Sequence, residues 1–258
     1  MPVLEGDTGE SRPRKLVAVV GTGTEVGKTW VSARLLERFR RDGYAVAARK
    51  PAQSFAASDD PVCYDACVLG AATGEPPESV CPRHRWYPAA LAPPMAADLL
   101  GLPVFTVADL IDELRWPEAP VDVGLVETAG GLRSPIAEDG DCLAFVEALR
   151  PDVVVLVADA GLGTLNAVRL TAQALGPRAV NVAVVLNRFE MSSDLHQRNL
   201  SWLADRDAMH VFFTPGGEAE LDAFIRTSCF EIGGDPVAMP NGPRRGRGTG
   251  LPNRWGRP

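Results

Sequence analysis

Lys15-Leu-Val-Ala-Val-Val-Gly21-Thr-Gly-Thr-Glu-Val-Gly27-Lys28-Thr29 is the stretch on which the reading of this chain turns. Its first six residues have the apolar character of a strand buried on both faces of a parallel sheet, and they end at a glycine. A glycine-rich turn follows at once. A lysine and a threonine then open a helix in which Val31, Leu35, Leu36 and Phe39 recur at helical spacing, and Asp42-Gly43 closes it. Strand, glycine turn, lysine, hydroxyl and helix in this order make a phosphate-binding loop. The backbone N–H groups around Thr24, Glu25, Val26, Gly27 and Lys28 point inward at phosphate oxygens, where the helix dipole adds positive potential. Lys28 is expected to neutralise the terminal phosphates and the Thr29 hydroxyl to ligate Mg2+. Five residues separate Gly21 from Gly27, one more than in the common form of such a loop.

Working outward, Tyr44 to Lys50 reads as a second strand stopped by Pro51, and residues 61–72 as a helix. Residues 75–103 are rich in proline and read as an irregular excursion. The runs Val121 to Val126 and Val153 to Ala158 are strands, separated by a glycine turn and a helix near Asp141 to Leu149. After Gly161-Leu162-Gly163 a helix spans 164–175, and Val180 to Leu186 is a strand ending on Asn187-Arg188. Repeated strand–helix units predict an α/β fold: a doubly wound, mostly parallel sheet with helices on both faces and ligands at the carboxyl ends of its strands. One domain is expected over residues 15–232. A flexible N-terminal arm (1–14) would precede it. Residues 233–258 read as a disordered basic tail, since 241–258 hold five Gly, three Pro and five Arg with no acidic residue.

With 46% hydrophobic residues the chain can bury a full core, and its formal charge of −7 argues against nucleic acid as a partner. No run of eighteen apolar residues and no signal-peptide pattern is present, which points to the cytoplasm. Five cysteines, an odd and scattered number, do not suggest a disulfide framework. Cys63, Cys67, Cys81 and His84 have the chemistry of a zinc site, but Cys63 and Cys67 fall in the expected helix, whose apolar face would bury small thiols without a metal.

Carboxylates at strand ends are the natural further Mg2+ ligands. Glu127 follows the strand Val121 to Val126 directly and precedes Thr128-Ala129-Gly130-Gly131, whose small residues allow close approach to phosphate. Asp59, Asp60 and Asp65 compete for the second position. Lys50 ends the strand adjacent to the first, so two ammonium groups, Lys28 and Lys50, can meet a transferring phosphoryl group.

These segments, together with Lys50-Pro-Ala-Gln-Ser54, Ala92-Pro-Pro-Met-Ala-Ala97, Gly163-Thr-Leu-Asn166 and Asn187, resemble dethiobiotin synthetase in type and order. The longer glycine loop is the most specific element. The resemblance covers roughly residues 15–220 and implies an ATP- and Mg2+-dependent ligase. That enzyme closes a ureido ring on the small-molecule diamine 7,8-diaminopelargonate with CO2 or bicarbonate through a phosphorylated carbamate, and it works as a homodimer with the diamine at the subunit interface. It further implies that Asp65, Glu127 and Thr29 hold the metal, that Lys50 and Lys28 are catalytic, and that Ser54, Pro93 and Asn166 contact the substrate. Nucleotide contacts would come from Thr24, Glu25, Val26, Gly27, Lys28, Thr29, Trp30, Glu127, Gly130, Asn187, Arg188 and Pro215. Phe55 departs from the family, which usually has glycine there. The same machinery suits a related ATP-dependent amide- or carbamate-forming ligase on another substrate. A regulatory ATPase or nucleotide-binding protein of the same superfamily is a further alternative, although no second lysine stands in Gly21 to Glu25.

Overall fold

A computed structural model describes residues 12–56, 58–176 and 181–228. Most of the expected N-terminal arm, the whole basic tail and Cys229 lie outside the described residues. In chain order the elements begin with β1 (Lys15–Gly21), α1 (Lys28–Arg41), β2 (Val46–Arg49), β3 (Gln53–Ser54), α2 (Asp65–Thr73), α3 (Pro77–Val80), β4 (Trp86–Tyr87), α4 (Pro93–Leu99) and α5 (Val107–Asp112). They continue with β5 (Val123–Glu127), β6 (Pro135–Ala137), β7 (Gly140–Asp141), α6 (Cys142–Leu149), β8 (Val153–Asp159), α7 (Thr164–Leu175), β9 (Val182–Asn187), α8 (Asp194–Ser201), β10 (His210–Phe213) and α9 (Glu218–Thr227).

Six strands form one sheet in the order β10-β9-β8-β1-β5-β2, and every pairing in it is parallel. Alternation along β1 divides the core into two layers, as the period of two in a strand requires. Leu16, Ala18 and Val20 pack with Phe145, Val146 and Leu149 of α6 and with Val168 and Leu175 of α7. Val17 and Val19 face the opposite layer, with Leu35, Leu36 and Phe39 of α1, Ala66 and Leu69 of α2, and Leu221 and Ile225 of α9. Each such fully buried aliphatic side chain stabilises the fold by about 1.5–3 kcal/mol. The doubly wound α/β expectation therefore holds. No helix among the described residues is long and apolar enough to cross a membrane.

Several expected boundaries move. The second strand is Val46–Arg49, and it is not adjacent to β1 as expected but separated from it by β5; Lys50 stands just beyond its end with its N–H donated to Val80 O. The helix expected over 61–72 is two pieces. Pro61–Cys63 is a 3-10 turn capped by the Asp60 carboxylate, Tyr64 is extended, and α2 starts at Asp65. Cys63 is consequently exposed and not buried on a helical face, which corrects the reason given for its thiol. Among the described residues no three His, Cys, Asp or Glu side chains converge as a metal group, and His84 Nε2 instead lies 3.2 Å from Glu113. The irregular excursion contains α3, β4 and α4; α4 begins with two prolines, which suit a first helical turn because their missing N–H would be unpaired there anyway.

Candidate active site

The parallel register sets the site. Val19 of β1 lies opposite Glu127, the last residue of β5, while Gly21 lies opposite Val157 of β8. The glycine loop thus leaves β1 with a carboxylate on one side and a supporting strand on the other. Gly27, at the foot of α1, has φ 94°, and a Cβ there would fall 1.9 Å from Asn187 Nδ2, so only glycine fits. Glu25 is also left-handed, at φ 59°. Two residues at the end of β9 hold this tight turn. Asn187 donates its amide N–H to Val26 O at 2.9 Å while its Oδ1 accepts from Thr214 Oγ1, and Arg188 donates to Glu25 O at 2.7 Å and to Asp159 at 2.9 Å.

The loop opens on a cleft of about 700 Å³. At its floor four charged side chains meet. Lys50 Nζ lies 2.7 Å from Asp65 Oδ2 and 2.8 Å from Glu127 Oε1, and it also donates to Thr128 O at 3.1 Å. The Thr29 hydroxyl stands 2.8 Å from both Asp65 Oδ1 and Glu127 Oε1, and Ser32 Oγ donates to the other oxygen of Glu127 at 2.8 Å. A hydroxyl has one hydrogen and cannot donate to two carboxylates at once. Thr29, Asp65 and Glu127 therefore present a cluster of hard oxygens with one donor too few, a donor set that suits Mg2+.

The two lysines are tuned in opposite directions. Burial and then the nearby positive charge of Lys50 hold the Lys28 ammonium below the usual lysine range. Burial also works against the charge on Lys50, but Asp65 and Glu127 outweigh it and raise its pKa. Burial would lift the Asp65 carboxyl; the contacts from Lys50 and Thr29 instead hold it below the ordinary aspartate value. The Lys50 charge is locked in place, whereas the Lys28 ammonium bonds Gly23 O at 3.3 Å and, among the described residues, no carboxylate, which leaves it suited to an anion.

Of the residues singled out from sequence, Thr24, Glu25, Gly27, Lys28, Thr29, Lys50, Ser54, Asp65, Pro93, Glu127, Gly130 and Arg188 line this cleft together. Others stand elsewhere. Val26 and Asn187 sit behind the loop and bond each other. Pro215 is on the exposed turn after Thr214, and Trp30 is 41% exposed on α1 beneath the Arg34 guanidinium. Asn166 is exposed in the first turn of α7, outside the cleft of its own chain. Asp59 and Asp65 both line the cleft, and Asp65 is the one that meets Lys50 and Thr29. Ser54 Oγ is buried with no hydrogen-bond partner among the described residues. Phe55 lines the cleft wall, with its ring stacked on Tyr64.

Sequence reading missed Ser32 and Gln53. Ser32 carried a signal: it is a polar residue on the buried face of α1, four positions after Lys28, and one turn of helix brings it under Glu127. Gln53 carried none, because its contact is with Ala66 of a different element.

Comparison with known proteins agrees with this geometry. A family model described as an AAA domain matches residues 15–210. A protein from Rhodococcus erythropolis named ATP-dependent dethiobiotin synthetase is 32% identical over 86% of this chain and 98% of its own length. A namesake from Saccharopolyspora erythraea is 35% identical over 94% of this chain and 99% of its own length, and one from Haloferax mediterranei is 37% identical over 77% and 82%. Among solved structures, a plasmid partition protein from Borrelia burgdorferi shares the fold at a TM-score of 0.50 and 11% identity, covering 83% of this chain and 97% of that one. Relatives bearing a single name, matched over nearly their full length at 32% and 35% identity, establish that the chain belongs to the dethiobiotin synthetase family.

Proposed function

We propose that this protein is an ATP-dependent dethiobiotin synthetase that joins CO2 to 7,8-diaminopelargonate and closes the ureido ring. The observation that carries this reading is the placement of Lys50. Its ammonium bonds both carboxylates beside the phosphate loop and lines the same cleft as the Ser54 hydroxyl, which has no hydrogen-bond partner among the described residues. A group that must touch both a transferring phosphoryl and a carbamate belongs there.

In this reading one amine of the diamine adds to CO2 and loses a proton, giving a carbamate held by Lys50 and Ser54. Lys28 and the backbone N–H groups of residues 24–28 grip the ATP phosphates. A carbamate oxygen attacks the γ-phosphorus as the bond to ADP breaks, with Lys28 and Lys50 stabilising the charge that spreads over the phosphoryl oxygens. The second amine then attacks the carbonyl carbon of the mixed anhydride, phosphate leaves, and the ring is closed. Thr29, Asp65 and Glu127 would hold Mg2+, which when bound would supply positive charge to the phosphate oxygens. Arg188 and Asn187 keep the loop shaped for nucleotide and border the side from which the base approaches, with Pro215 beyond them.

A homodimer fits the exposed face of α7. Asn166 there lies near Leu162, which is 92% exposed, and Leu170, which is 59% exposed, so a second copy would bury apolar surface and bring Asn166 toward substrate. The test of function is direct. Purified protein is incubated with ATP, Mg2+, bicarbonate and 7,8-diaminopelargonate, and dethiobiotin and phosphate are sought by mass spectrometry. Failure to form dethiobiotin overturns the assignment, and ATP cleavage without it points to a different acceptor.

A further inference from the structure

Ser54 and Asp65 are far apart in the chain but are held as neighbours by the residues on either side of them. Gln53 Oε1 accepts the Ala66 N–H at 2.9 Å, and the Phe55 ring lies face to face on Tyr64, with centroids 4.0 Å apart and planes 21° from parallel. Trp86 meets both rings edge-on, at 6.4 Å from Phe55 and 5.9 Å from Tyr64. Residues 53 and 55 thus grip residues 66 and 64, and the enclosed pair, Ser54 and Asp65, both line the cleft.

This grip replaces an ordinary helix cap. Tyr64, the residue before α2, makes no side-chain cap, so the side-chain acceptor for the first turn comes from Gln53. The orientation of the Gln53 amide is fixed by that bond, since its NH2 could not accept from an N–H. The stacked rings oppose sliding of the α2 start along β3, because face-to-face contact over two ring areas is lost on lateral displacement. Phe55 N–H is in turn donated to Tyr87 O at 3.0 Å, extending the β3 pairing and anchoring the gripping side.

We propose that Gln53 and Phe55 are positioning residues that fix the Asp65 carboxylate relative to the Ser54 hydroxyl, so that binding of the divalent cation and binding of the carbamate-forming substrate are coupled. The inference rests on the function proposed above. A cation that draws Asp65 inward pulls Tyr64 and Ala66 with it and carries Ser54 along through their partners. By reciprocity, substrate seated on Ser54 tightens the cation site. Lys50 also touches Asp65, and it is left untouched in the variants below, so any change in coupling is assigned to the grip alone.

The experiment measures the Kd of Mn2+, standing in for Mg2+ and followed by its electron paramagnetic resonance signal, with and without the diamine, together with the half-saturating free Mg2+ for dethiobiotin formation at saturating ATP and the diamine KM at high and low free Mg2+, in wild type, Phe55→Ala, Phe55→Tyr and Gln53→Met. Wild type is expected to show a diamine KM that rises as Mg2+ falls. Phe55→Ala and Gln53→Met are expected to need about tenfold more Mg2+, on the scale of residues that orient metal ligands, to lose the Mg2+ dependence of the diamine KM, and to keep the KM for ATP within about twofold. Phe55→Tyr, which retains the stack, is expected to behave as wild type. Near-ultraviolet circular dichroism establishes that each variant is folded, and if Phe55→Ala does not fold, Gln53→Met decides the outcome. Unchanged Mg2+ half-saturation in folded variants overturns the positioning role. A fall in kcat alone, with coupling intact, overturns it equally. A wild type that makes no dethiobiotin overturns the functional reading beneath it, and the inference falls with that reading.

Discussion

Lys50 Nζ donates to Glu127 Oε1 at 2.8 Å, joining the end of β2 to the end of β5 through an ion pair whose carboxylate is wholly buried. Lys50→Met leaves that carboxylate without its cation, and breaking a buried pair in this way costs about 3–5 kcal/mol. Thermal unfolding is expected about 10 °C lower, given about 2–4 °C per kcal/mol at this size. Adding Glu127→Gln to Lys50→Met is expected to recover part of the loss, because the uncompensated charge is gone. A Tm for Lys50→Met equal to that of wild type contradicts the burial and pairing described.

Gly27→Ala tests the loop conformation. At φ 94° an added Cβ collides with the Asn187 amide that supports Val26 O. Binding of a fluorescent ATP analogue is expected to weaken at least about a hundredfold, since an error of about 1 Å in a positioning element costs that much. Near-native affinity would show that the loop tolerates another shape.

Lys28→Ala removes a buried ammonium that, among the described residues, bonds Gly23 O and is in no ion pair with a carboxylate. ATP-dependent phosphate release is expected to fall about 10³-fold, the scale for loss of a preorganised donor at a developing charge. Normal turnover in this variant would remove the phosphate loop from the mechanism.

Glu113 governs part of the acid stability. Its two oxygens accept from Arg85 Nε at 2.8 Å and Nη2 at 2.7 Å. Partial burial would raise its pKa, but Arg85 and His84 hold it below the usual glutamate value. A carboxyl depressed in the folded state contributes stability that is fully present above the unfolded pKa and is lost as pH falls through the folded one. Glu113→Gln is expected to lose about 2 kcal/mol at neutral pH and to show a flatter decline in acid, measured by urea unfolding from pH 7 to pH 3. Parallel curves for the two proteins refute the pairing.

The thiols should separate by accessibility. Cys63 is exposed, whereas Cys81 and Cys142 are buried, and burial pushes the Cys142 pKa up to about 11. Labelling with an alkylating reagent at pH 8, followed by peptide mapping, is expected to modify Cys63 promptly and Cys142 only after unfolding. Equal rates at the two sites would contradict the packing of α6 against the glycine turn.

Local patterns made the sheet and the glycine loop between β1 and α1 readable in advance. Lys15 to Thr29 announced strand, turn and helix because apolar run length and helical spacing are properties of adjacent residues. Glu127 was found because it ends a buried run. What stayed hidden depends on contacts between distant segments. Asp65 could not be chosen over Asp59 and Asp60 by spacing, since the choice is made by Tyr64 adopting an extended conformation and restarting the helix. The roles of Asn187 and Arg188 as braces for Val26 and Glu25 need the parallel placement of β9 two strands away from β1. Phe55 stood in the sequence only as a departure from the family's glycine, and its ring proves to be stacked on Tyr64.

The floor of the cleft holds two ammonium groups, Lys28 and Lys50, and two carboxylates, Asp65 and Glu127, so its formal charges cancel. A neutral floor offers little long-range pull on a bare polyphosphate and no strong well for a lone divalent ion. On the function proposed above, nucleotide and cation would each gain most by arriving as one partly compensated complex, the anion at Lys28 and the metal at Thr29 and the carboxylates. Free ATP in excess of its metal should then behave as a poor ligand and not as a tight competitor. In that reading the balance of charges would act as a filter on the ionic form of the fuel.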